Sequence, residues 1–224
     1  MSDLIKTSEL FECTIPFLEE LFEKSIYPWD ILPKIGEIIK KLIAEGIEGY
    51  KPYSEGVLCA DGVRIHPQTQ ISAPCIIGAG CEIRPGAFIR GNVIIGDGCV
   101  IGNTTELKNC ILLKGVQVPH YNYVGDSILG NGSHMGAGSI CSNLKSDKKA
   151  VVIHGESEYE THLRKVGAFL GDGADVGCSC VLNPGTVIGR GSRVYPLTSL
   201  RGVYPENVIV KASDKWERIM DIFQ

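Results

Sequence analysis

His120 differs from most other histidines of this 224-residue sequence in the company it keeps. His66, His154 and His162 have no chemistry-bearing neighbours. His120 lies in VPHYNYVGD, three residues before Tyr123, and follows Arg84, Arg90 and Lys108 along the chain. An imidazole titrates near neutral pH and can take a proton as a general base. A guanidinium fork and an ammonium point charge can hold a phosphate between them. These residue types together suit proton abstraction beside a phosphorylated substrate.

A regular repeat must position these residues. From Ile65 an aliphatic residue recurs every six positions, at Ile71, Ile77, Ile83, Ile89, Ile95, Ile101 and Leu107. After a one-residue deletion it resumes at Leu112, Val118 and Val124, and after a second at Leu129, Met135 and Cys141. Beyond a break, Leu170, Val176, Leu182, Ile188, Val194 and Leu200 restore the step. Four residues after each aliphatic stands a small or β-branched side chain, such as Cys81, Cys99, Thr105, Ser139 or Cys180. Gly often follows the aliphatic directly, as at Gly78, Gly96, Gly102 and Gly136, where a turn with positive φ is expected. Six residues per flat face and three faces per coil make a triangular prism of parallel strands, an all-β solenoid. Arg84, Arg90 and Lys108 each follow an interior aliphatic and so project outward near corners. The recurring GAG and GDG triplets never complete G-x-G-x-x-G and are expected as corner glycines.

Composition narrows the function classes. A hydrophobic content of 44% and a charged content of 21% are those of an ordinary globular protein. The formal net charge of −4 supplies no basic footprint, so nucleic acid is not an expected partner. No apolar run reaches the ~20 residues of a membrane span and no signal peptide opens the chain, so a cytoplasmic location is expected. The 9 cysteines are odd in number and contain no C-x-x-C, which argues against a disulfide framework or a zinc site. Cys75, Cys81, Cys99 and Cys180 fall at the small-residue position and are expected to pack.

The flanks read differently. Residues 1–50 have helical spacing at Ile15, Leu18, Leu21 and Phe22 and again at Ile35, Ile38, Ile39, Leu42 and Ile43, which predicts a small helical cap with Trp29 as a packing anchor. Residues 51–62 are expected as a linker and 63–203 as the β-helix. Residues 204–224 are expected as a tail ending in a short helix, KWERIMDIFQ, and both flanks would cover the ends of the prism. A polar excursion over about 144–167 interrupts the repeat, in the manner of functional insertions.

The segments IRPGAFI, GNTTELKN, HYNYVGDSILG, MGAGSICSN and LNPGTVIG, with the exit RKVGAFLGDGADVG, carry a resemblance. From about Ile83 to Gly202 the chain resembles the C-terminal acetyltransferase domain of bifunctional glucosamine-1-phosphate acetyltransferase/N-acetylglucosamine-1-phosphate uridyltransferases. The resemblance implies a left-handed sense for the β-helix, acetyl-CoA as acyl donor with no metal in acyl transfer, a sugar-phosphate acceptor, and a homotrimer. His120 is implied as the general base, with Arg84 and Lys108 on the sugar-1-phosphate and Tyr123 and Asn143 positioning the sugar. Lys149 is implied near the substrate, and Ala137 and Cys178 along the acetyl-CoA channel. His134 stands where those enzymes carry Asn, Cys178 at a serine-like position, and Leu144 where the bacterial enzymes carry Tyr. Roughly 60 residues precede the repeat, too few for a nucleotide-binding domain of roughly 200, so no uridyltransferase activity is expected. A non-catalytic module that binds a sugar phosphate or sugar nucleotide for a separate nucleotidyltransferase is the alternative. A zinc carbonic anhydrase is disfavoured because its H-x-x-x-x-H pair is missing.

Overall fold

A computed structural model describes residues 5–212 and 215–218. The hexapeptide aliphatics fill one long core, with Ile77, Ile83, Ile101, Val124, Met135, Leu170 and Leu200 among its buried members. Three faces of parallel strands, two of them joined into one sheet by longer strands, enclose it as a left-handed β-helix. The first face stacks Val57–Ala60, Cys75–Ile77, Val93–Ile95, Ala168–Leu170 and Thr186–Ile188 with parts of two longer strands. The second face includes Glu82–Ile83, Val100–Asn103, Gln117–His120, His134–Met135 and Asp175–Val176. The third includes Phe88–Ile89, Ile140–Cys141, Val181–Leu182 and Ser199–Leu200.

The small residue four places after each aliphatic has a hydrogen-bonding reason as well as a packing one. Thr105 Oγ1 donates to the Val118 carbonyl at 2.9 Å, Ser139 Oγ to Gly177 at 2.6 Å and Ser192 Oγ to Pro205 at 2.7 Å, each in the following coil. Cys81, Cys99 and Cys180 make the same contact, their thiols reaching the carbonyls of Gly96, Leu113 and Tyr195 at 3.0–3.1 Å. A thiol and a hydroxyl are interchangeable there because both are small and both donate.

The glycine directly after the aliphatic serves a purpose other than the expected one. Gly78, Gly96, Gly102 and Gly136 do not take a positive φ; Gly80, Gly98 and Gly138 do. A Cβ at Gly102 would stand 1.5 Å from the Pro119 carbonyl oxygen, and one at Gly136 would stand 2.6 Å from Cys178 N. These glycines let the backbone of the next coil approach.

The two deletions in the repeat produce two seven-residue strands, Glu106–Leu112 and Tyr123–Leu129. Each rounds a corner unbroken: Glu106 pairs with Phe88 on the third face while Cys110 pairs with Val93 on the first. Asn109 and Asp126 make that corner in the left-handed region, at φ 46° and 48°, a conformation that short polar side chains tolerate.

The flanks correct several expectations. The N-terminal segment, with its helix Ile35–Glu45, lies across the first face instead of over an end. That face presents Ile76, Ile94, Ile111, Ile128, Phe169 and Val187 outward, and they are buried with Trp29, Ile31, Ile35 and Ile39 in a second core. Trp29 is an anchor, with ring centroids 4.6 Å from Tyr27 and 6.0 Å from Phe169. The expected linker instead holds an antiparallel pair, Tyr50–Ser54 with Val57–Ala60, turned at Gly56 with φ 69°. The second of these strands opens the first face, so pairing satisfies an otherwise bare edge. At the other end, Lys215–Arg218 of the expected helix is a strand antiparallel to Val208–Ala212. An open edge of the second face outweighs helical periodicity there; residues 213, 214 and 219–224 lie outside the described residues. The excursion forms a hairpin of Val152–His154 and Glu158–Glu160, and Val151 and Ile153 join the second core. It folds back onto its own chain, against the first face.

Candidate functional site

The shortened coils build the site. Because Tyr123 and Gly125 alternate outward around the interior Val124, the space above Gly125 is open to the Tyr123 ring. Tyr123 fills it: a Cβ on Gly125 would stand 2.5 Å from the Tyr123 hydroxyl and 2.8 Å from Asn143 Nδ2. Asn143 Nδ2 donates to Tyr123 Oη at 3.1 Å and to Asp126 Oδ2 at 2.5 Å. Asn109 Nδ2 donates to Asp126 Oδ1 at 2.9 Å. Asp126 is 6% exposed, and a buried carboxylate needs such donors. Both protons of the Asn143 amide are thereby committed, which fixes its orientation and makes Oδ1 its acceptor end. Tyr123 accepts from Asn143, so its own O–H is a donor for something else. Burial, followed by the nearby Asp126 charge, holds the Tyr123 phenol above its usual pKa, in the protonated donor form.

Lys108 lies one coil below Gly125 in register. Its pKa is lowered, first by burial and then by the ammonium of Lys165, which lies beside it, against a partial offset from Asp126. Two adjacent ammonium groups repel and draw an anion between them. Lys165 also lines a cavity of about 450 Å³, together with Leu32, Pro33, Asn109, Asp126, Leu163 and Arg164. Arg90 reaches Glu106 at 2.6 Å and lies over the Phe88 ring.

His120 ends its second-face strand and is exposed. Its backbone is fixed: the amide donates to Asn122 Oδ1 at 3.1 Å, and the carbonyl accepts from Gly138 N at 3.0 Å. Asn122 is anchored in turn to the carbonyls of Gly136 and Ser139, and Tyr121, at φ 52°, turns the chain onto the third face. His120, Ala137 and Cys178 stack in successive coils at this corner, since Gln117 pairs with His134 and His134 with Asp175. Cys178 is exposed, unlike most of the cysteines.

The structure thus gathers Lys108, Tyr123 and Asn143, and places His120, Ala137 and Cys178 along one corner of the same face. It does not bring Arg84, His134 or Lys149 to them within one chain. Arg84 directly follows the second-face strand Glu82–Ile83, several coils below Asn143, and is bonded to Glu82 at 2.8 Å. His134 points from the second face and meets Asp175 at 2.8 Å. Lys149 is exposed on the excursion, its amide bonded to Asp147; the lysine from the excursion that reaches Lys108 is Lys165. Sequence reasoning missed Asn109, Asp126 and Lys165. Asn109, Asp126 and Asn143 each follow an interior residue by two places at successive steps of 17, a polar repeat legible in hindsight. No spacing announces Lys165, which arrives through the fold of the excursion.

Fold and site define a hexapeptide-repeat β-helix with a cationic pocket on one face. A model of the GMPPB C-terminal domain family matches residues 71–159. The bifunctional protein GlmU of Methanococcus maripaludis strain C7 is 39% identical over 171 residues, 75% of this chain and 42% of that protein. GlmU of Methanococcus aeolicus is 36% identical over 168 residues, 74% of this chain and 41% of that protein. PerB from Caulobacter crescentus, solved with CoA and GDP-perosamine, is 19% identical with a TM-score of 0.44, covering 69% of this chain and 56% of that one. The chain is a relative of the GlmU-type bifunctional proteins over three quarters of its length, and spans about two fifths of theirs. No helix of the described residues is long and apolar enough to cross a membrane.

Proposed function

We propose that this protein is a CoA-dependent N-acyltransferase that moves an acetyl group from acetyl-CoA to the amine of an amino-sugar phosphate such as glucosamine-1-phosphate. The observation that carries the reading is the Lys108–Lys165 pair beside the fixed Tyr123–Asn143–Asp126 network, with exposed His120 three residues before Tyr123. The phosphate sits between the two lysines. Asn143 Oδ1 accepts from the sugar amine or a hydroxyl, and the Tyr123 hydroxyl donates to a substrate oxygen. His120 takes the proton as the amine attacks the thioester carbonyl, and CoA leaves as the thiol. The donor lies along the corner of Ala137 and Cys178. Arg84 and His134, distant within one chain, belong to this reading only through a homotrimer, in which a second copy closes the open third face. A cytoplasmic location goes with this reading.

Mixing protein, glucosamine-1-phosphate and acetyl-CoA and following thiol release tests it. The expected result is turnover that falls by about 10²–10⁴-fold in His120→Ala, the usual worth of a general base. No turnover with any amino-sugar phosphate, or full activity in His120→Ala, overturns it.

A second reading is a sugar-nucleotide-binding module serving a separate nucleotidyltransferase. It is favoured by the family match, which covers the span from Ile71 to Tyr159 that holds Lys108, Tyr123 and Asn143. Calorimetry showing sugar-phosphate binding without CoA binding would select it.

A further inference from the structure

The third-face file that carries Lys108 continues upward through Gly125, Ser142, Asn183 and Arg201, as the pairings Val124–Cys141, Cys141–Leu182 and Leu182–Leu200 fix. Against its upper part the excursion stands off, leaving a groove of about 490 Å³. That volume suits a small molecule. Its floor is Ser142, Asn183, Pro184 and Arg201, and its wall runs from Leu144 through Lys145 and Asp147 to Val152. Two cations from distant parts of the chain meet here against one carboxylate. Lys145, 28% exposed, lies 3.4 Å from Asp147, which is the carboxylate in question.

Arg201 is held in an informative way. Its Nη2 lies 2.9 Å from Nε2 of His154, and Nδ1 of the same ring lies 3.2 Å from Glu158 Oε1. The guanidinium is a donor only, so Nε2 is the acceptor, Nδ1 carries the proton, and the ring is neutral. The Arg201 side chain is thus oriented by the imidazole, which uses one of its five donors. Asn183 is fixed too, its Nδ2 donating to Ser199 Oγ at 3.1 Å and the Leu200 carbonyl at 2.8 Å. A planar fork, a point charge and hydroxyls from Ser142 and Ser146 are the donor set of a phosphate site.

We propose that this groove is a second phosphate-binding site, for the phosphate or diphosphate of a nucleotide-sized ligand. Coils rise about 4.8 Å each, so the level from Ser142 to Arg201 stands roughly 10–19 Å above Lys108. One phosphate cannot bridge that span. The two sites serve either two phosphorylated molecules or one with phosphates at both ends. This inference needs binding only and does not rest on acyl transfer.

Titration calorimetry with pyrophosphate, with malonate as a charged control, tests it on wild type, Lys108→Gln and the double variant Lys145→Gln/Arg201→Gln. The expected result is pyrophosphate binding that persists in Lys108→Gln and weakens at least tenfold in the double variant, with malonate binding weaker throughout. Arg201 is exposed and Lys145 partly so, and matching thermal melts verify folding. Adenosine 3′,5′-bisphosphate and uridine diphosphate then separate a CoA-derived ligand from a sugar nucleotide. No binding by wild type, loss of all binding in Lys108→Gln, unchanged affinity in the double variant, or malonate binding as tight as pyrophosphate would each overturn the proposal.

Discussion

Gly125→Ala perturbs the candidate site without removing any functional group. Gly125 does not adopt a positive φ, so the alanine backbone carries no strain of its own. Its Cβ would stand 2.5 Å from Tyr123 Oη and 2.7 Å from Cζ, where ordinary contact begins at 3.4 Å, so the ring must move by roughly 0.9 Å. Overpacking costs about 1–3 kcal/mol, and here about 1 is expected because the half-buried Tyr123 ring can swing toward solvent. For a chain of this length that lowers Tm by about 2–4 °C. The Tyr123–Asn143 hydrogen bond is lost, and a misplacement of about 1 Å at a positioned group costs on the order of 10²-fold in rate. The assay is thiol release from acetyl-CoA with glucosamine-1-phosphate, run beside a thermal melt. Gly102→Ala is the structural control: its Cβ would fall 1.5 Å from a backbone oxygen, and the variant is expected not to fold. A cooperatively melting Gly125→Ala with wild-type kcat/KM would refute the role given to the Tyr123–Asn143 pair.

Asp126→Asn keeps shape and the tolerated left-handed backbone but removes the charge that two amides donate to; a loss of about 1.5–3 kcal/mol in chemical denaturation is expected, and an unchanged midpoint would contradict the network. Lys108 has a lowered pKa, so carrying its charge opposes folding below that value, and Lys108→Met should raise Tm at neutral pH. For the same reason phosphate binding should take up a proton at alkaline pH and weaken as pH rises through the lowered value. Calorimetry in buffers of different ionisation enthalpy reads the uptake, and Lys108→Arg, always charged, should abolish it. Trp29→Ala should cost about 3–5 kcal/mol, because the ring is 3% exposed between the excursion and the first face; a melt near that of wild type would show that the N-terminal segment is not integral to the fold.

The sequence by itself determined the prism. A six-residue period admits one way to bury an aliphatic on every face, and the parallel strands from Arg64–Ile65 to Ser199–Leu200 keep it outside the two shortened coils and the excursion. The same period decided the fate of the corner cysteines, because a thiol at Cys81 or Cys99 does what a hydroxyl does at Thr105 or Ser139. The deletions near Leu107 and Val124 mark where a strand rounds a corner, since losing one residue carries the strand across it and stacks Asn109 under Asp126. The period itself held one unread signal: first-face triplets such as Val93-Ile94-Ile95 are apolar on both sides, which demands a covering layer.

Tertiary structure alone decided what that layer is and where the excursion goes. A helical pattern records which side of a helix is buried but not against which partner, so the N-terminal segment read equally well as an end cap. Edge pairing overrode local preference at Lys215–Arg218 and at Tyr50–Ser54, because an unpaired strand edge costs more than propensity returns. Lys165 met Lys108 across 57 positions of chain only because the excursion is pinned at both ends, by Leu144–Lys165 and by the second core. Periodicity is a local property and fixes the scaffold, whereas a site made of charges brought from far apart depends on contacts that no spacing encodes.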